Sequence, residues 1–177
     1  MNTIGDMRGP QPYRPDVGGL PLALPAWLIL CVGGGLAIGA LFAPDGWFLA
    51  LQHPSFAPPD WLLAPVWFVL YGLMGFAMWR VGEEKTPDAR FARSIFLVQL
   101  GLSFLWPIFF FGLHSINGAL AISIALLGSV AATMIAFHRV NPGAAKMLAP
   151  YVAWAAFATA LNAGYSYLNS AAFAFLR

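Results

Sequence analysis

The chain has 177 residues, of which 60% are hydrophobic and 9% charged, with a formal net charge of +2 and a mean hydropathy of +0.73. A soluble domain is roughly a quarter charged, so this composition excludes one and points to an integral membrane protein. All its Lys, Arg, Asp and Glu fall outside the apolar runs or at their very ends, which excludes the buried charges that mark proton relays, voltage sensors and ion pathways.

Residues 1–19 (MNTIGDMRGPQPYRPDVGG) have little apolar content and read as a flexible tail without the apolar region of a secretory signal. Five apolar runs follow, near 20–42, 61–81, 93–111, 116–137 and 147–168, each of about 20 residues and long enough to cross a bilayer as a helix. Together they predict an all-α bundle of five transmembrane helices, one domain over 20–169, with a short tail over 170–177 and no internal repeat. The single cysteine, Cys31, lies inside the first run, so no intrachain disulfide is possible.

Helix one carries Gly33, Gly34, Gly35 and Gly39, and the Gly35–Gly39 pair has the spacing that lets another helix approach closely. Packing within the chain is the expected use. The connection after it, over 43–60, combines Trp47, Phe48, His53 and Phe56 with Pro44, Pro54, Pro58 and Pro59. Each proline fixes φ, so this segment reads as an ordered lid built around His53, Phe56, Pro58 and Pro59. Helix two sets Trp67, Tyr71, Met74 and Met78 on one face. Helix three holds Gln99 and Ser103 one turn apart, next to Trp106. Glutamine facing lipid is costly, so this face points into the bundle. Helix four, with Ser123, Ser129 and Thr133, reads as a packing helix, and helix five puts Trp154, Ala158, Leu161 and Asn162 on one stripe.

The basic residues set orientation. With five spans, Arg8, Arg14, Arg80, Lys85, Arg90, Arg93, Arg139 and Lys146 share one side, and only Arg177 lies on the other. The positive-inside rule then puts the N-terminus in the cytoplasm and the C-terminus and the lid outside.

No metal constellation or catalytic residue stands out. His53, His114 and His138 read as loop residues without a ligand-spaced partner, and there is no nucleophile–base motif or phosphate-binding glycine loop. Nothing points to nucleic acid. Trp27, Trp47 and Trp79 fit an interfacial aromatic belt. Trp67, Trp106 and Trp154 instead share stripes with interior residues, forming a flat aromatic slot suited to a large, planar, apolar ligand. Tyr71, Gln99, Ser103 and Asn162 lie on those same stripes.

The stretches LQHPSFAPPDWLLAPVWFVLYGLMG (51–75), QLGLSFLWPIFFFG (99–112) and PYVAWAAFATALN (150–162) resemble, in order and spacing, the translocator protein family, also called tryptophan-rich sensory proteins. The resemblance covers about 33–162 and is closest to bacterial-type members, implying a bacterial cell membrane. It implies a five-helix bundle, commonly a homodimer, that binds porphyrins, haem-related tetrapyrroles, sterols and synthetic benzodiazepine-type ligands, with no cofactor required. By motif position it implies Trp61, Leu63, Trp67, Trp106, Trp154, Ala158 and Leu161 as pocket residues. Phe56 stands where tryptophan is frequent in the family, and Ser103–Phe104 where Asn–Trp is frequent. The basic residue that ends the sterol-contact motif is missing after LNAGYSYLNS (161–170), so sterol is not the expected ligand. The leading expectation is a receptor or carrier for tetrapyrroles, with a tetrapyrrole or stress sensor as one form of that role. A light-dependent porphyrin-degrading enzyme and a structural subunit with a vestigial pocket are the alternatives.

Overall fold

The computed structural model describes residues 20–169. Both expected tails lie outside the described residues, and with them Arg8, Arg14 and Arg177. Span one begins as α1 (Leu20–Leu28), loosens into a π-helical turn over Ile29–Gly33 and continues as α2 (Gly34–Leu41). A short α3 (Gly46–Leu49) sits in the lid. Span two is α4 (Asp60–Gly82); span three is α5 (Pro87–Pro107) with a second π-helical turn over Ile108–Gly112; span four is α6 (Ile116–Val140). Span five is α7 (Pro142–Met147) followed by α8 (Ala149–Asn169). Five helices are long and apolar enough to cross a membrane, and no strand occurs among the described residues.

Local chemistry explains the boundaries. Thr86 caps α5 by accepting from the Ala89 amide at 3.2 Å, with Pro87 at the first helical position. Span three therefore starts six residues before the apolar run suggests. Asn141 caps α7 in the same way, accepting from the Ala144 amide at 3.0 Å ahead of Pro142. Pro107 lacks an amide hydrogen, and the helix beyond it widens until the Leu113 amide bonds the Ile108 carbonyl at 2.8 Å. One expectation is corrected here: His138 lies in the last turn of α6, not in a loop.

Alternation of the spans gathers the C-terminal end of α4, the start of α5, the end of α6 and all of α7 at one end of the bundle. Arg80, Lys85, Arg90, Arg93, Arg139 and Lys146 are all there. At this basic end the helices close tightly, because small residues meet large ones. A Cβ on Gly75 would sit 3.1 Å from the Trp27 carbonyl and from the Leu28 side chain. Met74, Ala77, Met78 and Val81 of α4, Phe96 of α5 and Phe137 of α6 are fully buried together. Phe96 meets the Trp27 ring edge-on at 5.7 Å and stacks on Phe137 at 5.9 Å. Trp27, expected in a belt, is thus a packing residue on the core, since the small Gly75 admits its backbone. Trp79 is likewise half-buried, edge-on to Phe76 at 5.1 Å. α6 packs on both α5 and α8, and α7 wedges against α4 through the buried Ala144 and Ala145.

Candidate ligand pocket

The other end of the bundle holds a cavity of about 460 Å³. Span one contributes Val32, Gly35, Leu36 and Gly39; span two Leu63, Ala64, Trp67 and Tyr71; span three Ser103, Trp106 and Phe110. Ser123 and Leu126 come from span four, and Trp154, Ala158, Leu161 and Asn162 from span five. Pro44, Phe48, Ala57 and Pro58 of the lid form the roof, and among the described residues Asp60 is the one charged group in the lining.

Helical repeat explains which faces line it. On α4, positions 60, 63, 64, 67, 68 and 71 recur at three- and four-residue intervals and form one wall. Trp67 stacks on Tyr71 with ring centroids 5.4 Å apart, and Trp106 stacks on Phe110 at 5.0 Å. Trp154 tilts against Phe157 at 5.4 Å, and its buried indole N–H has no partner among the described residues. Gly35 is required for this wall: the Tyr71 ring occupies the space a side chain there would need. Gly39, its partner in the small-residue pair, has nothing within 4 Å of a built Cβ.

Of the eleven candidate pocket residues, nine surround this cavity: Leu63, Trp67, Tyr71, Ser103, Trp106, Trp154, Ala158, Leu161 and Asn162. Trp61 does not line it. It lies at the outer edge of the α4 wall, on the Phe68 side, and is 72% exposed. Gln99 does not line it either, lying one turn deeper than Ser103, fully buried, with its Nε2 donating to Met74 Sδ at 3.4 Å. The polar atoms of Asn162 are engaged within the protein. Its Oδ1 accepts from Trp106 Nε1 at 2.9 Å and its Nδ2 donates to the Ile116 carbonyl at 3.1 Å, so it ties spans three, four and five together and fixes the Trp106 ring. Ser103 Oγ donates to the Leu100 carbonyl at 2.8 Å.

The lid is pinned at both ends. At its start, Asp45 accepts from the Trp47 and Phe48 amides at 3.1 and 3.2 Å and pairs with His114 Nε2 at 3.1 Å. The Phe48 amide, chiefly, holds the Asp45 carboxyl below its ordinary pKa, with His114 and the Trp47 amide adding to it and desolvation opposing. His114 has φ 51°, a left-handed conformation that is uncommon outside glycine; its ring also stacks on Trp47 at 4.4 Å. Further along, the Gln52 amide donates to Asn169 Oδ1 at 2.8 Å and Asn169 Nδ2 returns a bond to the Gln52 carbonyl at 2.9 Å. His53 Nδ1 and the Tyr165 hydroxyl share a 2.7 Å hydrogen bond, and the buried Pro54 fits against Gly164. Of the four lid residues singled out, Pro58 lines the cavity. His53 holds the clamp, Phe56 packs edge-on to Phe157 at 6.4 Å outside it, and Pro59 precedes α4 as its cap. Among the described residues no cluster of His, Cys, Asp or Glu could hold a metal ion.

The TspO/MBR family model matches residues 27–168. The chain belongs to the TspO/MBR family. It is 41% identical over 119 residues to the human translocator protein, spanning 66% of this chain and 70% of that one. It is 35% identical over 145 residues to protein CrtK of Rhodobacter capsulatus, covering 81% and 90% of the two chains. With the tryptophan-rich protein TspO of Chlorobaculum tepidum it shares 36% over 151 residues, 80% and 95% of the two. Family membership and the five apolar helices make it an integral membrane protein.

Several lining residues of this TspO/MBR protein escaped the sequence reading. Between Trp27 and Phe42 span one offers no aromatic to notice, and Val32 and Leu36 carry no pattern of their own; the glycine cluster at Gly33, Gly34, Gly35 and Gly39 is the signal beside them. Phe48 and Tyr165 also line the cavity, and both belong to aromatic motifs whose inward direction only the lid's fold fixes.

Proposed function

We propose that this TspO/MBR-family membrane protein is a receptor or carrier for porphyrins and related tetrapyrroles, held in the cavity beneath the lid. The observation that carries the reading is the convergence of Trp67, Trp106 and Trp154, from three different spans, on one cavity of about 460 Å³. That volume lies within the usual range for ligand pockets, roughly 300–1,000 Å³. Flat rings on three sides favour a flat ligand, and a mainly apolar lining favours one with few polar atoms outside its edges. The name of the human relative, translocator protein, fits a carrier role. An open cavity also argues against a purely structural subunit, because unfilled space forfeits dispersion contacts that packing would recover.

The basic end belongs on the cytoplasmic side of a bacterial cell membrane, and the lid outside, by the positive-inside rule. The test of the ligand reading is a titration of the purified protein with protoporphyrin IX, read as quenching of tryptophan fluorescence. Saturable quenching at one site per chain, retained in Trp61→Ala, is the expected result. Linear quenching equal to that in protein-free micelles would overturn the proposal.

A further inference from the structure

Seven residues of the cavity wall are at the same time exposed on the surface of the bundle: Leu36, Gly39 and Ala40 of span one, Ala64 and Phe68 of span two, and Pro44 and Asp60 at the two ends of the lid. Leu36 is 57% exposed and Phe68 55%. A residue that belongs to both a cavity and the outer surface marks an opening. Spans one and two touch closely at Gly75, under Trp27 and Leu28, and again where the Tyr71 ring fills the space above Gly35. Beyond Gly35 they part, and a built Cβ on Gly39 finds open space. The opening is flanked by the apolar segments Leu24–Leu41 and Asp60–Gly82. In a bilayer it therefore faces hydrocarbon rather than water.

On the side facing water the cavity wall is exposed only at the lid's ends, Pro44 and Asp60, and the middle of the lid is closed. The lid is fastened to the end of α8 by the paired Gln52–Asn169 hydrogen bonds and the His53–Tyr165 bond, and Pro54 is buried against Gly164. We propose that the gap between the outer halves of spans one and two is a lateral entrance, through which a planar apolar ligand dissolved in the membrane reaches the cavity while the lid stays shut. The inference rests on the ligand-binding reading above and adds the route. An apolar ligand concentrates in the bilayer, so a mouth opening there meets it without desolvating the lid. The absence of a side chain at Gly39, where no neighbouring helix comes close, then has a use: it keeps the mouth clear.

The experiment uses the full chain in lipid nanodiscs, with protoporphyrin IX supplied from vesicles and both rates followed by tryptophan quenching. Gly39→Phe, at a position with room for a side chain, is expected to slow association and dissociation together by about tenfold, moving their ratio far less than either rate. Leu36→Ala, which widens the mouth, is expected to raise both rates. Cysteines at Gln52 and Asn169 joined by a short bismaleimide lock the lid; neither residue lines the cavity, and both rates are expected to hold. Slower binding with the locked lid, beside unchanged rates in the two mouth variants, would overturn the entrance. So would an altered oligomeric state in Gly39→Phe without a rate effect, which would assign this face to a subunit contact. Lack of saturable binding by the unmodified protein would contradict the ligand reading itself, whereas normal affinity with mouth-independent rates contradicts the entrance alone.

Discussion

The two ends of this bundle are built from the same five helices, yet one is solid and the other hollow. At the basic end each large side chain meets a small one: Leu28 lies over Gly75, and Ala89, Ala92, Ala144 and Ala145 are buried among Met74, Met78 and Phe137. The short α7 closes the remaining space against α4. At the lid end, large meets large. Trp67, Trp106 and Trp154 project from three spans and cannot interdigitate, and Asn162 holds Trp106 in place from the side. Lipid tails are as apolar as the side chains, so packing complementarity rather than hydrophobicity decides which end closes.

The sharpest way to break this contrast is at the solid end. Phe96→Ala removes a fully buried ring held between Trp27 and Phe137, and the expected loss is about 3–5 kcal/mol of stability, read from thermal or denaturant unfolding in detergent. At the hollow end the order of effects reverses. Trp67→Ala or Trp154→Ala is expected to weaken protoporphyrin IX binding by roughly 1.5–3 kcal/mol, about tenfold to a hundredfold. Stability should change far less than in Phe96→Ala, because one face of each ring already borders empty space.

Asn162→Ala tests what holds the cavity open. It strands the Trp106 N–H and removes the extra bond to the Ile116 carbonyl, and the expected cost is roughly 1–3 kcal/mol of stability together with a changed near-ultraviolet dichroism as Trp106 loses its fixed setting. The smallest effect concerns the lid's first anchor. Asp45 is held below its ordinary pKa of 3.8 by the folded lid, so its contribution is present above that pH and lost as pH falls through the lowered folded value. Amide exchange at Trp47 and Phe48 is the measurement: protection is expected to hold down to about pH 4 and fall in more acid solution, with Asp45→Ala unprotected throughout.

Much of this contrast was legible in the sequence. Five spans followed from hydropathy because an apolar run of that length has few other uses. Stripe geometry brought Trp67, Tyr71, Trp154, Ala158 and Leu161 to one cavity, since a helical face is fixed by spacing alone. What periodicity could not supply was depth or the second partner. Gln99 shares the Ser103 face but lies one turn below the cavity, and Trp61 is aromatic and beside the lid yet at the outer edge of the α4 wall. Trp27 looked interfacial because it stands near the start of a span; its packing depends on Gly75, nearly fifty residues later. The lid's tethers to His114, Tyr165 and Asn169 are tertiary hydrogen bonds, and no local pattern announces them.

The central claim is that two indoles far apart in sequence touch one ligand in the hollow end. A double-mutant cycle on Trp67 and Trp154, measured as protoporphyrin IX affinity for both single alanine variants and the pair, tests it directly. Contact with a shared ligand is expected to give a coupling of about 0.5 kcal/mol or more, with the double variant losing less than the two single losses combined. Strict additivity, or affinity that falls equally in Trp61→Ala, would contradict it.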